Sequence, residues 1–314
     1  MPGMLAQLLA LPARIAQLER QLEQVAALVA ARSAPPGLSR SVYLGEHTAL
    51  ALLEGRLPIY VDTRGNDIAP HLLLHGVWEA EELRVFRRML RPGDLVLDLG
   101  AHVGVYALAA AEAVGPSGRV HAFEPHPRNA GLLRRSLSVN GFAGFAEVHL
   151  LAAGATAGAS TLLITPDWEG GAFLDRAMPS AAPREDGRQA LTVRVVALDT
   201  LFPDPTTRLG VAKLDIEGME GLALLGMKRL LERSPEARLL LEWAPAMLAG
   251  QGMPGAEVVA LLRDLGFRFW RIAPDATLLP LPAEELAGRS EGIRNIVAAR
   301  GVPPWDAAAD RTAT

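Results

Sequence analysis

The chain has 314 residues and no cysteine, and its 31 basic and 35 acidic side chains leave a net charge of −4. Half of the residues are apolar, which excludes wholesale disorder, and the lack of cysteine excludes a disulfide scaffold, thiol catalysis and thiolate metal sites. With no basic block, no apolar run of about 18 residues and no cationic leader segment, the expectation is a cytoplasmic protein with no nucleic-acid partner and no membrane span.

Apolar residues at Ile15, Leu18, Leu22, Val25 and Val29 alternate steps of three and four, so residues 1–33 are expected to carry an amphipathic, coiled-coil-like helix ended by the SAPPG stretch at 33–37. The helix spans little more than two heptads. It either packs on its own body or forms the seam of a homo-oligomer. Residues 34–90 are expected to form a smaller cap layer, with a strand at 58–62 and a helix at 79–90.

From 91 to 301, short apolar runs alternate with helix-length segments. Strands are expected at 95–100, 119–125, 147–154, 211–218, 238–243, 267–273 and 293–300, and helices at 106–114, 127–140, 220–233 and 255–265. The pattern predicts an α/β fold: a Rossmann-like, seven-stranded, mostly parallel sheet with helices on both faces. The last two strands are separated only by a Pro-rich, acidic loop and are expected to pair as an antiparallel hairpin. Two further runs, at 160–165 and 191–198, suggest a hairpin inserted over 159–198, with a long loop at 166–189 carrying Trp168 as a substrate platform. Residues 302–314 form a tail.

The first sheet strand runs into Asp98-Leu99-Gly100-Ala101-His102-Val103-Gly104 and then a helix. Gly100 suits a tight turn, and Gly104 suits close approach of a ligand or strand to the helix. Glu124 ends the second strand, where a carboxylate can accept two hydrogen bonds from a ribose diol. Both features lie beside the expected reversal of strand order, where open α/β sheets bind ligands. An acid at the head of the turn repels a pyrophosphate and attracts an ammonium, which favours S-adenosylmethionine over NAD. An NAD-dependent oxidoreductase and a non-catalytic, cofactor-fold assembly protein are the alternatives.

The stretch LDLGAHVGVYALAAAEAVGPSGRVHAFEPHPRNAGLLRRSLSVNG resembles the S-adenosylmethionine site of class I methyltransferases, specifically the FkbM family. The resemblance continues through VRVVALDTL, AKLDIEGMEGLALLGM and LLLEW, and upstream through PHLLLHGVWEAEE, where a carboxylate is more usual at the position of His75. It implies methyl transfer, usually to an oxygen of a small-molecule or glycan acceptor. In that frame Asp98 is expected to hold the methionine ammonium, and Gly100, Ala101, His102 and Gly104 to give close backbone contact. Glu124 is expected to hold the ribose, Pro125 to shape the chain exit, and Ala152 and Ala153 to admit the adenine. Glu79 either closes over the cofactor or is simply an acid in a helix's first turn.

A hydroxyl acceptor must lose a proton, and Asp215 is the first candidate base, Glu217 the second and His102 the third. The cluster Asp215, Glu217 and Glu220 has an alternative reading as a seat for a divalent cation such as Mg²⁺. Lys213, on a buried strand, is expected to pair with one of these acids, and Glu242 either lines the acceptor pocket or satisfies loop amides. His71 and His75 are spaced as metal ligands on a helix but lack a third partner, so they are assigned to packing or capping. No metal ligand is assigned. The inserted hairpin and its loop are expected to act as a specificity lid.

Overall fold

A computed structural model of the chain describes residues 41–165, 168–175, 189–289 and 295–301. The helix expected over 1–33, the tail at 302–314, residues 176–188 of the inserted span and the side chain of Trp168 lie outside the described residues.

The N-terminal layer is an antiparallel meander of β1 (Val42–Gly45), β2 (Thr48–Leu53) and β3 (Leu57–Asp62), followed by α1 (Ile68–His75) and α2 (Ala80–Met89). Only β3 and α2 were expected from the sequence. Every residue of β2, TALALL, is buried, so it lacks the apolar–polar alternation that marks a half-buried strand. The layer is fastened to the body by α4 (Pro127–Val139): Ser136 Oγ accepts from the Tyr60 amide at 2.9 Å, and Asn140 Nδ2 donates to the Pro58 carbonyl at 2.7 Å. Arg128 also reaches the buried Asp62, which Arg64 shares. Burial would raise the Asp62 carboxyl, but the hydrogen bonds from Arg64 and Arg128 outweigh it and hold the group down at about 2.

The body opens with β4 (Leu95–Leu99), α3 (Val105–Val114), β5 (Arg119–Phe123), α4 and β6 (Ala146–His149). It resumes with β11 (Val211–Leu214), α6 (Glu220–Gly226), α7 (Lys228–Glu232), β12 (Arg238–Glu242), α8 (Pro245–Gly250) and α9 (Gly255–Asp264). β13 (Arg268–Ile272), β14 (Leu278–Leu281), α10 (Ala283–Gly288) and β15 (Asn295–Ala299) complete it. These strands form one eight-stranded sheet in the order β14-β13-β15-β12-β11-β4-β5-β6. The run from β12 to β6 is parallel, and β15 lies antiparallel between β12 and β13. The α/β architecture with a mostly parallel central sheet therefore stands as expected, with one strand more.

That extra strand corrects the reading of the last connection. Instead of a bare loop, β14 pairs with β13 at the sheet edge and α10 leads back to β15. Pro280 sits in β14, and an edge strand is where a ladder tolerates a missing N–H. The expected strand at 147–154 also divides. β6 stays in the main sheet, whereas β7 (Ala152–Ala153) joins a second sheet of order β7-β10-β8-β9. There β8 (Gly158–Thr165) and β10 (Gln189–Val196) pair antiparallel, as a hairpin requires. β9 (Trp168–Asp175) adds a third inserted strand within the span read as a loop. α5 (Leu198–Leu201) returns the chain to the body. The helix expected over 220–233 breaks at Met227. Gly226 there lets the helix end approach β7, since a Cβ at that position would stand 2.0 Å from the Gly154 carbonyl oxygen.

The sheet buries its two faces differently. Leu97, Leu99, Ala212 and Leu214 pack under α6, α7 and α9, while Val96, Val211 and Leu240 pack under α3. The Ala-rich α3 is apolar on nearly all sides because the N-terminal layer covers its outer face. At the amino ends of the strands, the buried Arg238 donates to the Met89 carbonyl at 2.5 Å, to Asp94 Oδ2 at 2.9 Å and to the Gly210 carbonyl at 3.2 Å. It thus ties α2 and two strand entries into one unit. Arg238→Met should lower unfolding free energy in urea by about 3–5 kcal/mol, because Asp94 loses its cation in a largely buried setting. A loss below about 0.5 kcal/mol, the size of an ordinary surface change, would contradict this role.

Candidate active site

The chain leaves β4 outward through β5 and β6, then returns to the other side of β4 as β11. The strand order therefore reverses between β4 and β11, and the carboxyl ends of those strands open a crevice. Gly100 and Asp215 stand on its two lips. The Asp215 amide donates to the Leu99 carbonyl at 3.1 Å, and a Cβ on Gly100 would fall 1.9 Å from the Asp215 carbonyl oxygen. With φ at +81° as well, position 100 admits only glycine without rebuilding both strand ends.

A cleft runs from this point over the end of β5 to β7. Gly100, His102, Glu124 and Pro125 line one part, and Ala152 and Ala153 line another. Asp215 and Glu217 line the far side beside Met219. Eight of the residues singled out from the sequence are thus gathered around one space. Four of the expected cofactor contacts are not on its surface. Ala101 packs in the core, and its amide donates to the Phe123 carbonyl at 3.1 Å. Gly104 serves packing, since a Cβ there would stand 2.1 Å from Leu133 Cδ1. Asp98 is buried on β4, and Glu79 lies in a buried network with Tyr106 and Asn295.

Glu124 is almost fully buried, with one oxygen accepting from the His102 amide and the other from the His126 amide, both at 2.8 Å. These two bonds hold the carboxylate in the cleft wall, and a carboxylate oxygen can accept more than one hydrogen bond. Its neighbours toward β7 are Phe123, Leu151, Ala152 and Ala153, an apolar slot suited to a flat ring. Asn129, in the first turn of α4, also lines the cleft, and its buried Oδ1 is without a hydrogen-bond partner. Sequence reasoning missed it, although a buried amide immediately after the Glu-Pro turn was the available signal.

Asp98 and Lys213 are direct neighbours across β4 and β11, both on the face covered by α3. Burial pushes the Asp98 carboxyl up to about 7 against the pull of Lys213, and its Oδ2 is unpartnered. Lys213 Nζ donates to Asp215 Oδ2 at 2.9 Å and to Asn295 Oδ1 at 3.1 Å, and lies 4.9 Å from the Tyr106 ring centre. Burial favours the neutral amine, but Asp215 and Glu79 outweigh it and push the ammonium's pKa up. Glu79 accepts from Tyr106 Oη at 2.6 Å and from Asn295 Nδ2 at 3.2 Å, which closes the network. The expected pairing of Lys213 with an acid is therefore present. Asn295 and Tyr106 gave no sequence signal, because their partners are distant along the chain.

The remaining acids sit where ionisation is costly. Burial, then the charges of Asp215 and Glu220, push Glu217 up to about 8. Burial pushes Glu220 up to about 7, although its Oε1 accepts from the Ile216 amide at 2.8 Å and from the Gly218 amide at 3.4 Å. Burial and the charge of Asp215 push Glu242 up to about 9. At neutral pH Glu217 and Glu242 are thus mainly protonated. Burial lowers the pKa of His102, whose two ring nitrogens are buried without partners. His71 and His75 are exposed on α1, with His71 edge-on to Trp78 at 5.2 Å.

The fit of S-adenosylmethionine to this cleft rests on its own groups. A carboxylate at Glu124, an apolar slot beside it and a glycine-only turn suit a ribose and an adenine. Over the inserted sheet, Leu162 and Leu174 from β8 and β9 close the same space.

The methyltransferase FkbM domain matches residues 98–269. The 31-O-demethyl-FK506 methyltransferase FkbM of Streptomyces tacrolimicus is 30% identical over 198 residues, covering 57% of this chain and 74% of that protein. A protein-L-isoaspartate O-methyltransferase of Aeropyrum pernix is 43% identical over 58 residues, covering 18% of this chain and 22% of its own. Among solved structures, the O-methyltransferase TomG of Streptomyces achromogenes in complex with SAM is similar at a TM-score of 0.37 and 17% identity, over 72% of this chain and 82% of that one. A SAM-dependent O-methyltransferase of Thermotoga maritima is similar at a TM-score of 0.38 and 14% identity, over 86% and 96%. The chain belongs to the FkbM family and is an S-adenosylmethionine-dependent methyltransferase.

Proposed function

We propose that this enzyme methylates a hydroxyl oxygen of a small-molecule or glycan acceptor, with Asp215 receiving the hydroxyl proton. The observation that carries the reading is the pairing of Asp215 Oδ2 with the buried Lys213 ammonium at 2.9 Å, at the edge of the cleft. The name of the Streptomyces tacrolimicus relative, which denotes methylation at an oxygen, supports the choice of acceptor atom. When bound, the donor supplies an electrophilic methyl carbon on a sulfonium. The chain's own task is then to hold the acceptor in line, exclude water and take one proton.

Among the acids at the cleft, Glu124 is held by two backbone amides and is assigned to the donor, and Glu217 is mainly protonated at neutral pH. Asp215 is the one held by an ammonium, with its side chain 32% exposed and so open to an acceptor. Glu217, carrying a proton, can donate a hydrogen bond to an acceptor oxygen. Lys213 already supplies the positive charge that a hard cation would bring to this cluster, which supports a base-assisted route without Mg²⁺. Leu162 and Leu174 give the inserted sheet an apolar contact with the acceptor side, consistent with a specificity lid. An oligomer seam through the heptad-like pattern at 1–33 (packing of that segment on its own body being the alternative) and a cytoplasmic setting complete the reading, and both rest on sequence pattern and composition alone.

The base is tested with methyl-labelled donor and an extract of hydroxylated metabolites as acceptor source. Asp215→Asn should reduce labelled product at least about 100-fold while calorimetric donor affinity stays within a few-fold of wild type. Glu124→Gln should do the reverse and weaken donor binding about tenfold or more. Equal activity in Asp215→Asn and wild type would remove Asp215 from the reaction.

The protonation of Glu217 makes a separate, acceptor-free prediction. Glu217 ionises near its ordinary 4.5 in the unfolded chain but near about 8 in the folded one, so the folded state holds the extra proton. Its contribution therefore becomes steadily less favourable as pH rises from about 4.5 to about 8, then levels off. Glu217→Gln should gain stability relative to wild type across that window in denaturant titrations. A pH-independent difference would show that Glu217 ionises normally.

A further inference from the structure

Outside the cleft, three side chains on the edge of the main sheet carry a second chemistry. β6 is the edge strand, and Glu147 and His149, two residues apart on it, point to the same face. In the parallel ladder His121 on β5 faces Glu147, and Phe123 faces His149. His121 Nδ1 and His149 Nε2 are 2.9 Å apart, and the Glu147 carboxylate lies 3.8 Å from Nδ1 of each ring. Ligand atoms from all three residues fall within 4.8 Å of one another.

We propose that His121, Glu147 and His149 form a binding site for a borderline divalent metal ion of the Zn²⁺ class, separate from the methyl-transfer cleft. Two imidazole nitrogens and one carboxylate oxygen are a donor set for zinc, whereas Mg²⁺ and Ca²⁺ select oxygen donors throughout. A nitrogen–nitrogen contact of 2.9 Å brings one ring nitrogen of each histidine to the same point of the sheet edge. With zinc–nitrogen bonds of 2.0–2.1 Å, a tetrahedral ion places its nitrogens about 3.3 Å apart, so the pair must open by a few tenths of an ångström and both rings must turn their lone pairs onto the ion.

The surroundings fix the rings and leave an entrance. Phe123 stacks on His149 with ring centres 4.6 Å apart, and Phe202 meets His121 edge-on at 5.1 Å. The Glu147 side chain is 67% exposed at the sheet edge, so it can swing onto an arriving ion while a water takes the fourth position. Phe123 also lines the methyl-transfer cleft, and an ion held by His149 would stiffen that wall from behind. The contact as it stands also satisfies a plain imidazole–imidazole hydrogen bond, so binding of the ion is the discriminating observation.

The test uses the full chain, stripped with chelator and dialysed, then titrated with ZnCl₂ in a calorimeter and with CoCl₂ in a visible spectrometer. The expected result is one zinc per chain at micromolar or tighter affinity, with the intense visible bands of four-coordinate cobalt. Glu147→Gln should weaken zinc binding about tenfold or more, and the His121→Gln, His149→Gln double variant should abolish it. Glu147 is exposed, so its variant keeps the test decisive should the double variant fail to fold. A His71→Gln, His75→Gln variant should bind zinc as wild type does. No zinc uptake by the wild type would overturn the proposal. So would uptake unchanged by Glu147→Gln and by the His121, His149 pair, or uptake lost only in the His71, His75 variant.

Discussion

One ammonium group, Nζ of Lys213, organises the electrostatics of this protein. It is buried in the middle of the main sheet and carries its charge into a region shared by Glu79, Asp98, Asp215, Glu217 and Glu242. A lone positive charge cannot satisfy that many acids. The acid in direct contact, Asp215, takes the ion pair, while burial keeps Asp98, Glu217 and Glu242 at raised pKa values. The division gives chemically similar side chains different affinities for a proton, which is how one site can hold both a proton acceptor and hydrogen-bond donors. Replacing the lysine by an apolar residue would leave those acids to repel one another in a low-dielectric setting.

The same network links layers that are far apart in sequence. Glu79 comes from the turn before α2, Tyr106 from α3 and Asn295 from the last strand, and all three close around Lys213. Glu79 thereby ties the turn before α2 to α3 and the last strand, and it is not among the residues lining the cleft. The inserted sheet meets the cleft from the opposite side through Leu162 and Leu174. The crevice is thus bounded by three separate pieces of chain, with Ile68 from the N-terminal layer, beside a close approach of the β4 and β11 ends that Gly100 permits.

Much of this was legible in the sequence because the signals are local. Apolar runs marked the main strands, and Asp98, Gly100 and Glu124 sit at fixed places on strand ends. What was not legible was either long-range or masked by burial. β2 shows no alternation because both its faces are covered, and β14 carries a proline that an edge strand tolerates. The division of 147–154 depends on which sheet each half joins, a choice made by tertiary pairing of Ala152 and Ala153 with β10. Sequence placed Asp98 at a ligand. In the structure it is a buried acid paired across the strands with Lys213, outside the cleft lining, with its Oδ2 unpartnered.

The position of the bound donor is the most direct test of this site. A crystal structure of the chain with S-adenosylhomocysteine should show the ribose hydroxyls on Glu124, the adenine in the slot beside Ala152 and Ala153, and the sulfur turned toward Asp215. Density for the nucleoside elsewhere, or a cleft left empty at saturating ligand, would contradict it.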